Sequence, residues 1–296
     1  MRIVSLLPAA TEIVCALGLR ESLVGRSHEC DFPEDVAKLP ALTRSRLDSS
    51  LGSEQIDTEV RRVLAARLPI YELDDDRLAA LAPDVVVTQE ACEVCAISFE
   101  QVVASTSRTA PSAAVIPLRP AYLGDIFEDI KTVADACGVR AKGQALTAEL
   151  KAKLDNASRS GKAAWPRVTV IEWLAPPMLA GHWVPEAIVA ARGTPVGPEP
   201  GEVSPYSTWE SVKAFELDAV IVAPCGFDLE RTVAEATPLA NKLLGLAPKV
   251  LLLDGNAYLN RPGPRIVEAV ETIAAWLRGE GVPAARGVEL QSAARS

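Results

Sequence analysis

A long run near the middle of the chain, residues 140–158, most constrains what this sequence can fold into. Its apolar residues recur at steps of three and four, the spacing that lines one side of a helix: Ala141, Ala145, Leu146, Leu150 and Leu154. At about 1.5 Å per residue, such a helix is about 30 Å long. Strands alternate with helices on both sides of the run, which predicts a stiff helix between two α/β lobes with a ligand cleft between them.

The rest of the chain supports this two-lobe prediction. Its 296 residues exceed the usual size of one compact core, so two domains are expected. The fold class is therefore α/β: two doubly wound lobes with mostly parallel sheets, joined by one long rigid helix. The predicted N-terminal lobe is 1–138, the linker helix 139–160, the C-terminal lobe 161–280, and 281–296 a frayed tail.

Within the lobes, three segments lack a clear strand or helix pattern. The stretch around residues 43–46 is interpreted as irregular, and residues 175–183 and 193–201 as loops rich in Pro and Gly.

Composition and charge exclude several classes of function. The net charge is −9 and no basic stripe occurs, so binding to nucleic acid or to an anionic membrane is not expected. The six cysteines do not suggest a disulfide scaffold in a chain of this length. No apolar run is long enough to cross a bilayer, so membrane insertion is not expected either.

The N-terminal sequence bears on location. Pro8, Thr11 and Glu12 interrupt the apolar run that starts at Ile3, which is not typical of a secretory signal. We therefore expect a cytoplasmic protein, with a periplasmic location as the alternative if the natural N-terminus lies upstream.

The residues with the most distinctive chemistry fall in loops that follow predicted strands. Both histidines, His28 and His182, lie in such loops, and Trp183 follows His182 directly. Ligands of open parallel α/β sheets bind beyond the carboxyl ends of the strands. An indole offers a large rigid face for stacking, and a neutral imidazole can coordinate a metal. The alternative for Trp183 is that it packs its helix onto the sheet.

The cysteines leave several interpretations open. His28, Cys30, Cys92 and Cys95 together could hold zinc, although a single C-x-x-C is only half of such a site. Cys92 and Cys95 could instead form a redox dithiol, or simply pack a helix start. Cys225 with His182 could form a nucleophile pair, but Cys225 also fits a turn after a strand. No G-x-G-x-x-G, P-loop or G-x-S-x-G motif is present.

The loop at residues 254–265 combines amides, arginines and stiffening prolines ahead of a helix. Helix N-termini favour anionic and carbonyl oxygens. We expect Asn260 and Arg261 to contact ligand and Arg265 to be structural, with an Arg–Asp254 pair as the structural alternative.

Six segments carry a resemblance to a known family: SLLPAATEI, SHECDFP, TQEACEVC, GHWVPE, APCGFDLERT and DGNAYLNRPGPR. Together they resemble the cobalamin- and iron-siderophore-type substrate-binding proteins of ABC uptake systems, and more narrowly a leaderless cobalamin-binding branch. The resemblance extends to about residue 278. It implies a non-catalytic receptor for a corrinoid or related metal chelate, with an ABC permease as a candidate partner and no required cofactor. The alternative is a cytoplasmic metal-binding or thiol-dependent enzyme on the same fold.

The predicted ligand-binding residues are His28, Glu29, Arg44, Gln89, Trp173, His182, Trp183, Phe227, Asn256, Tyr258, Asn260 and Arg261.

Overall fold

The computed structural model describes residues 1–90, 96–159 and 165–291. It divides into two compact units. Unit 1 comprises Met1–Leu51, Thr58–Pro120 and Gly124–Glu149, and unit 2 comprises Gly52–Asp57, Ala121–Leu123 and Leu150–Ser296. The predicted lobe boundaries and ligand cleft stay predictions.

Unit 1 is built on a short parallel sheet. Its strands are β1 (Ile3–Ser5), β2 (Leu23–Arg26), β3 (Thr43–Ser45), β4 (Tyr71–Leu73), β5 (Val85–Gln89) and β6 (Ala114–Leu118). The main sheet has the order β2-β1-β5-β6 and all its pairs are parallel. All five residues of β5 are buried, and the first four are β-branched, as is typical of a strand covered on both faces.

Helices separate these strands as the sequence pattern predicts. They are α1 (Pro8–Ala16), α2 (Ser53–Ala65), α3 (Asp75–Leu81), α4 (Phe99–Thr109), α5 (Leu123–Ala136) and α6 (Arg140–Arg159). Proline opens α1, and the side chains of Asp74 and Ser98 cap α3 and α4 by accepting backbone N–H groups. These residue types are the usual helix starts.

The prediction that residues 43–46 are irregular is wrong. Thr43–Ser45 pairs antiparallel with Tyr71–Leu73, in a two-stranded ribbon separate from the main sheet. The strand is too short to show alternation in the sequence. This ribbon matters because it carries Thr43 and Tyr71 against His28.

Unit 2 contains a larger mixed sheet. Its strands are β7 (Arg167–Leu174), β8 (Pro177–Leu179), β9 (Thr194–Pro195), β10 (Ala219–Val222), β11 (Lys249–Leu253) and β12 (Gly287–Glu289). The order is β12-β11-β10-β7-β8, with β9 also paired to β7. The central strands β7, β10 and β11 are parallel, whereas β8 and β12 run antiparallel to their neighbours. Its helices are α7 (Val184–Ala190), α8 (Trp209–Lys213), α9 (Leu229–Ala236), α10 (Ala240–Leu244) and α11 (Ile266–Leu277).

Two further loop assignments and the tail assignment are also corrected. The predicted loops at 175–183 and 193–201 contain β8 and β9, each pairing with β7. The predicted frayed tail contains β12, which closes the edge of β11. Arg286 holds this segment: its guanidinium donates to Glu268 Oε2 at 2.7 Å and to Thr272 Oγ1 at 3.1 Å.

The central helix α6 is confirmed, but part of its predicted buried stripe is wrong. Leu150 and Leu154 are buried as expected, whereas Ala141 and Ala145 are exposed. Gly143 and Thr147 occupy the buried side in that half of the helix. A Cβ atom on Gly143 would lie only 2.4 Å from the Cβ of Ala134 on α5, so glycine allows the two helices to approach closely.

None of the helices in the described part of the chain is both long and apolar enough to span a membrane.

We expect Gly143→Ala to destabilise the protein, although alanine is the better helix former by about 1 kcal/mol. The added methyl group overlaps Ala134 and pushes α6 away from α5, at a cost of about 1–3 kcal/mol. Gly124→Ala is the matched control on α5, because a Cβ there meets no atom within 4 Å. Urea unfolding of both variants measures the difference, and equal or greater stability of Gly143→Ala contradicts the close packing.

Candidate functional site

In unit 1, buried hydroxyl groups gather at the carboxyl ends of β1 and β2. Thr11 Oγ1 lies 2.8 Å from Ser5 Oγ and 3.0 Å from Cys30 Sγ. Thr43 Oγ1 donates to Ser27 Oγ at 3.0 Å. All five residues are buried, so these bonds satisfy polar atoms that water does not reach.

His28 sits at the edge of this hydroxyl cluster. Its Nδ1 lies 2.8 Å from Thr43 Oγ1, and its ring centroid is 5.7 Å from that of Tyr71. Burial, and then the charge of Arg26, lower the pKa of His28 below its ordinary value. The imidazole is therefore neutral at pH 7, the form that can bind a metal.

The other predicted residues of unit 1 differ in their surroundings. The hydroxyl of Tyr71 donates to Glu29 Oε1 at 3.4 Å, so Tyr71 touches both His28 and Glu29. Arg44 has a side chain that is 80% exposed and pairs with Glu72. Gln89 is buried at the end of β5. The structure thus brings His28 and Glu29 together, and places Arg44 on the outside of the ribbon.

The predicted zinc site is only half covered by the structure, because Cys92 and Cys95 lie outside the described residues. Cys30 is buried beside Thr11. Among the described residues, no three His, Cys, Asp or Glu side chains are arranged to hold a metal ion. Zinc at His28, Cys30, Cys92 and Cys95 stays a prediction.

Sequence reasoning missed Asp129, a buried carboxyl on α5. It is 9% exposed, and its Oδ2 has no hydrogen-bond partner. Burial raises the pKa of Asp129 to about 7, against a smaller opposing effect of a hydrogen bond from the backbone of Arg119. An apolar helix pattern with one acid on its inner side is the only sequence signal for this group.

In unit 2, the side chain of Trp173 near the carboxyl end of β7 meets that of Phe227 in the turn after β10. The rings of Trp173 and Phe227 are 5.2 Å apart and tilted by 56°. Trp173 Nε1 donates to the carbonyl of Ser53 at 3.2 Å, and the guanidinium of Arg231 lies 3.6 Å from the Phe227 ring centroid. Arg231 was not predicted, because nothing in its local sequence distinguishes it from a surface arginine of a helix.

His182 and Trp183 form a second pair, just ahead of α7. Their rings are stacked, with centroids 5.7 Å apart and an angle of 27°. Trp183 Nε1 donates to the carbonyl of Leu259 at 2.8 Å, which fixes the indole. Burial lowers the pKa of His182, so this imidazole too is neutral at pH 7.

The backbone of His182 adopts a conformation that non-glycine residues rarely use, with φ of 51°. Two hydrogen bonds hold it: its N–H donates to Glu202 O at 2.7 Å, and its carbonyl accepts from Gly201 N–H at 2.9 Å. Gly181 is required beside it, since a Cβ there would lie 2.2 Å from the Glu202 carbonyl oxygen. Strain of this kind is often found at functional sites.

The loop at residues 254–265 links the two aromatic pairs of unit 2. Asn256 N–H donates to the carbonyl of Phe227 at 2.9 Å, while Leu259 accepts the bond from Trp183. Trp183 and Phe227 are therefore both bonded to this loop, and we call these two residues, with their ring partners His182 and Trp173, the strand-end cluster.

The side chains of this loop mostly bond to the loop itself. Asn260 Nδ2 donates to the carbonyls of Ala223 and Gly255, both at 2.9 Å. Arg261 is 5% exposed and its Nη2 donates to Asn256 Oδ1 at 2.8 Å. Asp254 Oδ1 accepts from the N–H of Ala257 at 2.7 Å. These contacts give Asn260, Arg261 and Asn256 a structural part, and their role as ligand contacts stays a prediction.

Two further residues complete the loop and its surroundings. Tyr258 is half-buried, with the guanidinium groups of Arg265 and Arg286 each 5.6 Å from its ring centroid. Cys225 is half-buried in the turn after β10, and its N–H donates to the Glu172 carbonyl at 3.0 Å.

Comparison with known proteins identifies the family. A profile described as periplasmic binding protein matches residues 3–233. The chain belongs to the periplasmic binding protein family. The predicted resemblance to ABC-type substrate-binding proteins is confirmed. This is a family of binding proteins and not of enzymes, which confirms the prediction of a non-catalytic protein and leaves the Cys225–His182 nucleophile pair without support.

Solved structures of this family are similar over nearly the whole chain. The periplasmic vitamin B12 binding protein BtuF of Vibrio cholerae has a TM-score of 0.68 and 19% identity, and 94% of this chain and 96% of that chain are covered. The periplasmic heme-binding protein RhuT from Roseiflexus sp. RS-1 has a TM-score of 0.67 and 25% identity, with 92% and 96% covered.

A periplasmic heme-binding protein from Pseudomonas aeruginosa has a TM-score of 0.72 and 18% identity, with 98% of each chain covered. Comparison with curated proteins finds no matching sequence. These three structures share the α/β fold of this chain.

We expect Asp129→Asn to stabilise the protein increasingly as the pH rises. The raised pKa means that the folded state keeps a proton between about pH 4 and 7 that the unfolded state loses, so wild-type stability falls through this range. Asparagine removes this dependence. The gain in unfolding free energy should be about 2 kcal/mol larger at pH 8 than at pH 5.

Glu128→Gln, which alters an exposed carboxylate of the same helix, is the control and should show little change between these pH values. A pH-independent effect of Asp129→Asn would contradict the raised pKa.

We expect His182→Gly to be more stable than His182→Ala by about 1 kcal/mol. Both variants remove the imidazole, but only glycine relieves the left-handed backbone at this position. Urea unfolding of the two variants separates the backbone effect from loss of the ring. Equal stabilities would show that the backbone relaxes without cost.

Proposed function

We propose that this periplasmic binding protein binds a metal-containing macrocycle without catalysis, with a corrinoid as the first candidate and heme as the second. The observation that carries the proposal is the strand-end cluster of unit 2. It combines two indoles, a phenyl ring and a neutral imidazole, and it is bonded to the loop that follows the parallel strand β11. Ligands of parallel α/β sheets bind beyond such strand ends.

The cluster is suited to a large, flat ligand because its aromatic side chains are fixed in advance. The indole N–H groups of Trp173 and Trp183 both donate to backbone carbonyls. Rings held in this way lose little conformational entropy when a ligand stacks on them, which increases affinity.

Charge favours a corrinoid over heme. Heme carries two carboxylates, whereas the edge of a corrinoid is lined mainly by neutral amides. The guanidinium of Arg261 is engaged by Asn256, and that of Arg231 is stacked on Phe227. The net charge of −9 also disfavours a dianionic ligand.

The similar structures support the same class of ligand. The Vibrio cholerae protein binds vitamin B12 and the Roseiflexus protein binds heme, and both compounds are metal macrocycles. We further propose that the protein lies in the periplasm and delivers its ligand to an ABC permease, as the family name suggests.

Titration with cyanocobalamin and, separately, with hemin tests the proposal by quenching of tryptophan fluorescence. We expect saturable quenching by the corrinoid. Trp183→Leu should weaken binding about 10-fold, because it removes both the stacking face and its hydrogen bond to Leu259.

Trp165→Leu is the matched control, since Trp165 is 45% exposed and stacks with Arg192. It should leave affinity unchanged. The double variant Cys92→Ser, Cys95→Ser should also bind normally if ligand binding is independent of these thiols. Absence of saturable binding by both macrocycles would refute the proposed function.

A further inference from the structure

The backbone of His182 is held from two sides, while the nitrogens of its ring remain available. Glu202 accepts its N–H and Gly201 donates to its carbonyl, so the ring projects from a fixed point. Within the described part of the chain, neither ring nitrogen has a hydrogen-bond partner, and the residue is half-buried. A half-buried imidazole of this kind offers both a donor and an acceptor to a ligand.

The orientation of the ring restricts what those nitrogens reach. The planes of the His182 and Trp183 rings differ by 27°, and their centroids are 5.7 Å apart. The bond from Trp183 Nε1 to the carbonyl of Leu259 fixes the indole. The N–H bond and the lone pair of an imidazole lie in the plane of its ring. Both therefore point at most 27° away from the plane of the indole.

This orientation separates the edge of a macrocycle from its metal ion. A macrocycle that stacks on Trp183, as proposed above, is parallel to the indole. An axial ligand must approach the metal ion along the normal to the macrocycle, whereas the nitrogens of His182 point nearly along its plane. At 5.7 Å from the indole, the imidazole lies within reach of the substituents at the ligand's edge. In a corrinoid these substituents are carboxamides.

The chemistry of the imidazole suits a carboxamide better than a carboxylate. Burial lowers the pKa of His182, so the ring is neutral at pH 7 and has one donor and one acceptor. A carboxamide also has both, whereas a carboxylate only accepts and would lose water without gaining a positive charge from His182. Glu199 and Glu202 of the adjoining loop and Glu186 of α7 add negative charge nearby.

We propose that His182 is a specificity-determining residue that hydrogen-bonds a carboxamide at the edge of the bound corrinoid and does not coordinate its metal ion. This inference rests on the proposed function, and it identifies the part of the ligand that is recognised. It uses residues of unit 2 alone.

The contact is measured by combining protein variants with ligand variants at pH 8. The ligands are cyanocobalamin, in which both axial positions of cobalt are filled, and a series of derivatives with one edge carboxamide at a time hydrolysed to a carboxylate. We expect wild type to bind at least one derivative about 10-fold more weakly than cyanocobalamin, and this difference to disappear in His182→Phe, which keeps a flat ring without nitrogen.

His182→Gly, which suits the left-handed backbone at this position, should behave like His182→Phe. The control Trp165→Leu should keep the wild-type difference for every derivative. Circular dichroism checks that each variant is folded, and if His182→Phe does not fold, His182→Gly takes its place.

Coordination is measured separately with aquocobinamide, a cobalt corrinoid that lacks the lower axial base. Its absorption spectrum changes when a nitrogen atom replaces water on cobalt. We expect the spectrum of the bound ligand to be the same in wild type and in His182→Phe.

Three results would overturn the inference. If each derivative loses the same affinity in wild type and in the His182 variants, His182 does not contact a carboxamide, although the proposed function stands. If a nitrogen-ligated spectrum of aquocobinamide is lost in His182→Phe, His182 coordinates the metal ion instead. Binding of hemin without binding of cyanocobalamin also overturns it, and failure of both macrocycles to bind refutes the proposed function as well.

Discussion

Parallel strand pairing is the constraint on which the rest of the structure depends. In unit 2, Val222 of β10 pairs in register with Ile171 of β7 and Leu252 of β11. The carboxyl ends of the three strands therefore lie at one edge of the sheet. Trp173 near the end of β7, Phe227 after β10 and the 254–265 loop after β11 therefore lie at the same edge. The same register in unit 1 brings the turns after β1 and β2 together, with Ser5 beside Arg26, and so collects hydroxyl groups around His28.

Much of the fold was predictable because its central elements are long or strongly patterned. Helix α6 lies within a few residues of its predicted bounds, and strands alternate with helices on both sides of it as predicted. What failed depends on partners distant in sequence. The strands β3, β8, β9 and β12 have two or three residues each, too few for a periodic signal. The buried side of α6 was partly wrong because its close contact uses Gly143, which a search for apolar residues does not find.

The candidate site, like the fold, was predicted only in part. The strand-exit rule selected His28, His182 and Trp183, and the structure brings these residues into polar or aromatic contacts. It could not select Thr43 or Tyr71, because their role comes from a ribbon whose first strand was not recognised. Arg231 and Asp129 were missed since their surroundings, a phenyl ring and a buried helix side, exist only after folding. Asn260 and Arg261 were predicted by residue type, and the structure shows how readily such groups are used within their own loop.

The position of β12 near the C-terminus affects the order in which the two units can fold during synthesis. Strand β12 completes the sheet of unit 2 by pairing with β11, and Arg286 ties it to α11. The residues of unit 1 end at Glu149, so that unit can fold while the rest of the chain is still on the ribosome, as domains generally do. The sheet of unit 2 is complete only after residues 287–289 have been translated, and until then one edge of β11 has no partner strand. During that interval, an unpaired apolar strand edge is available to other chains.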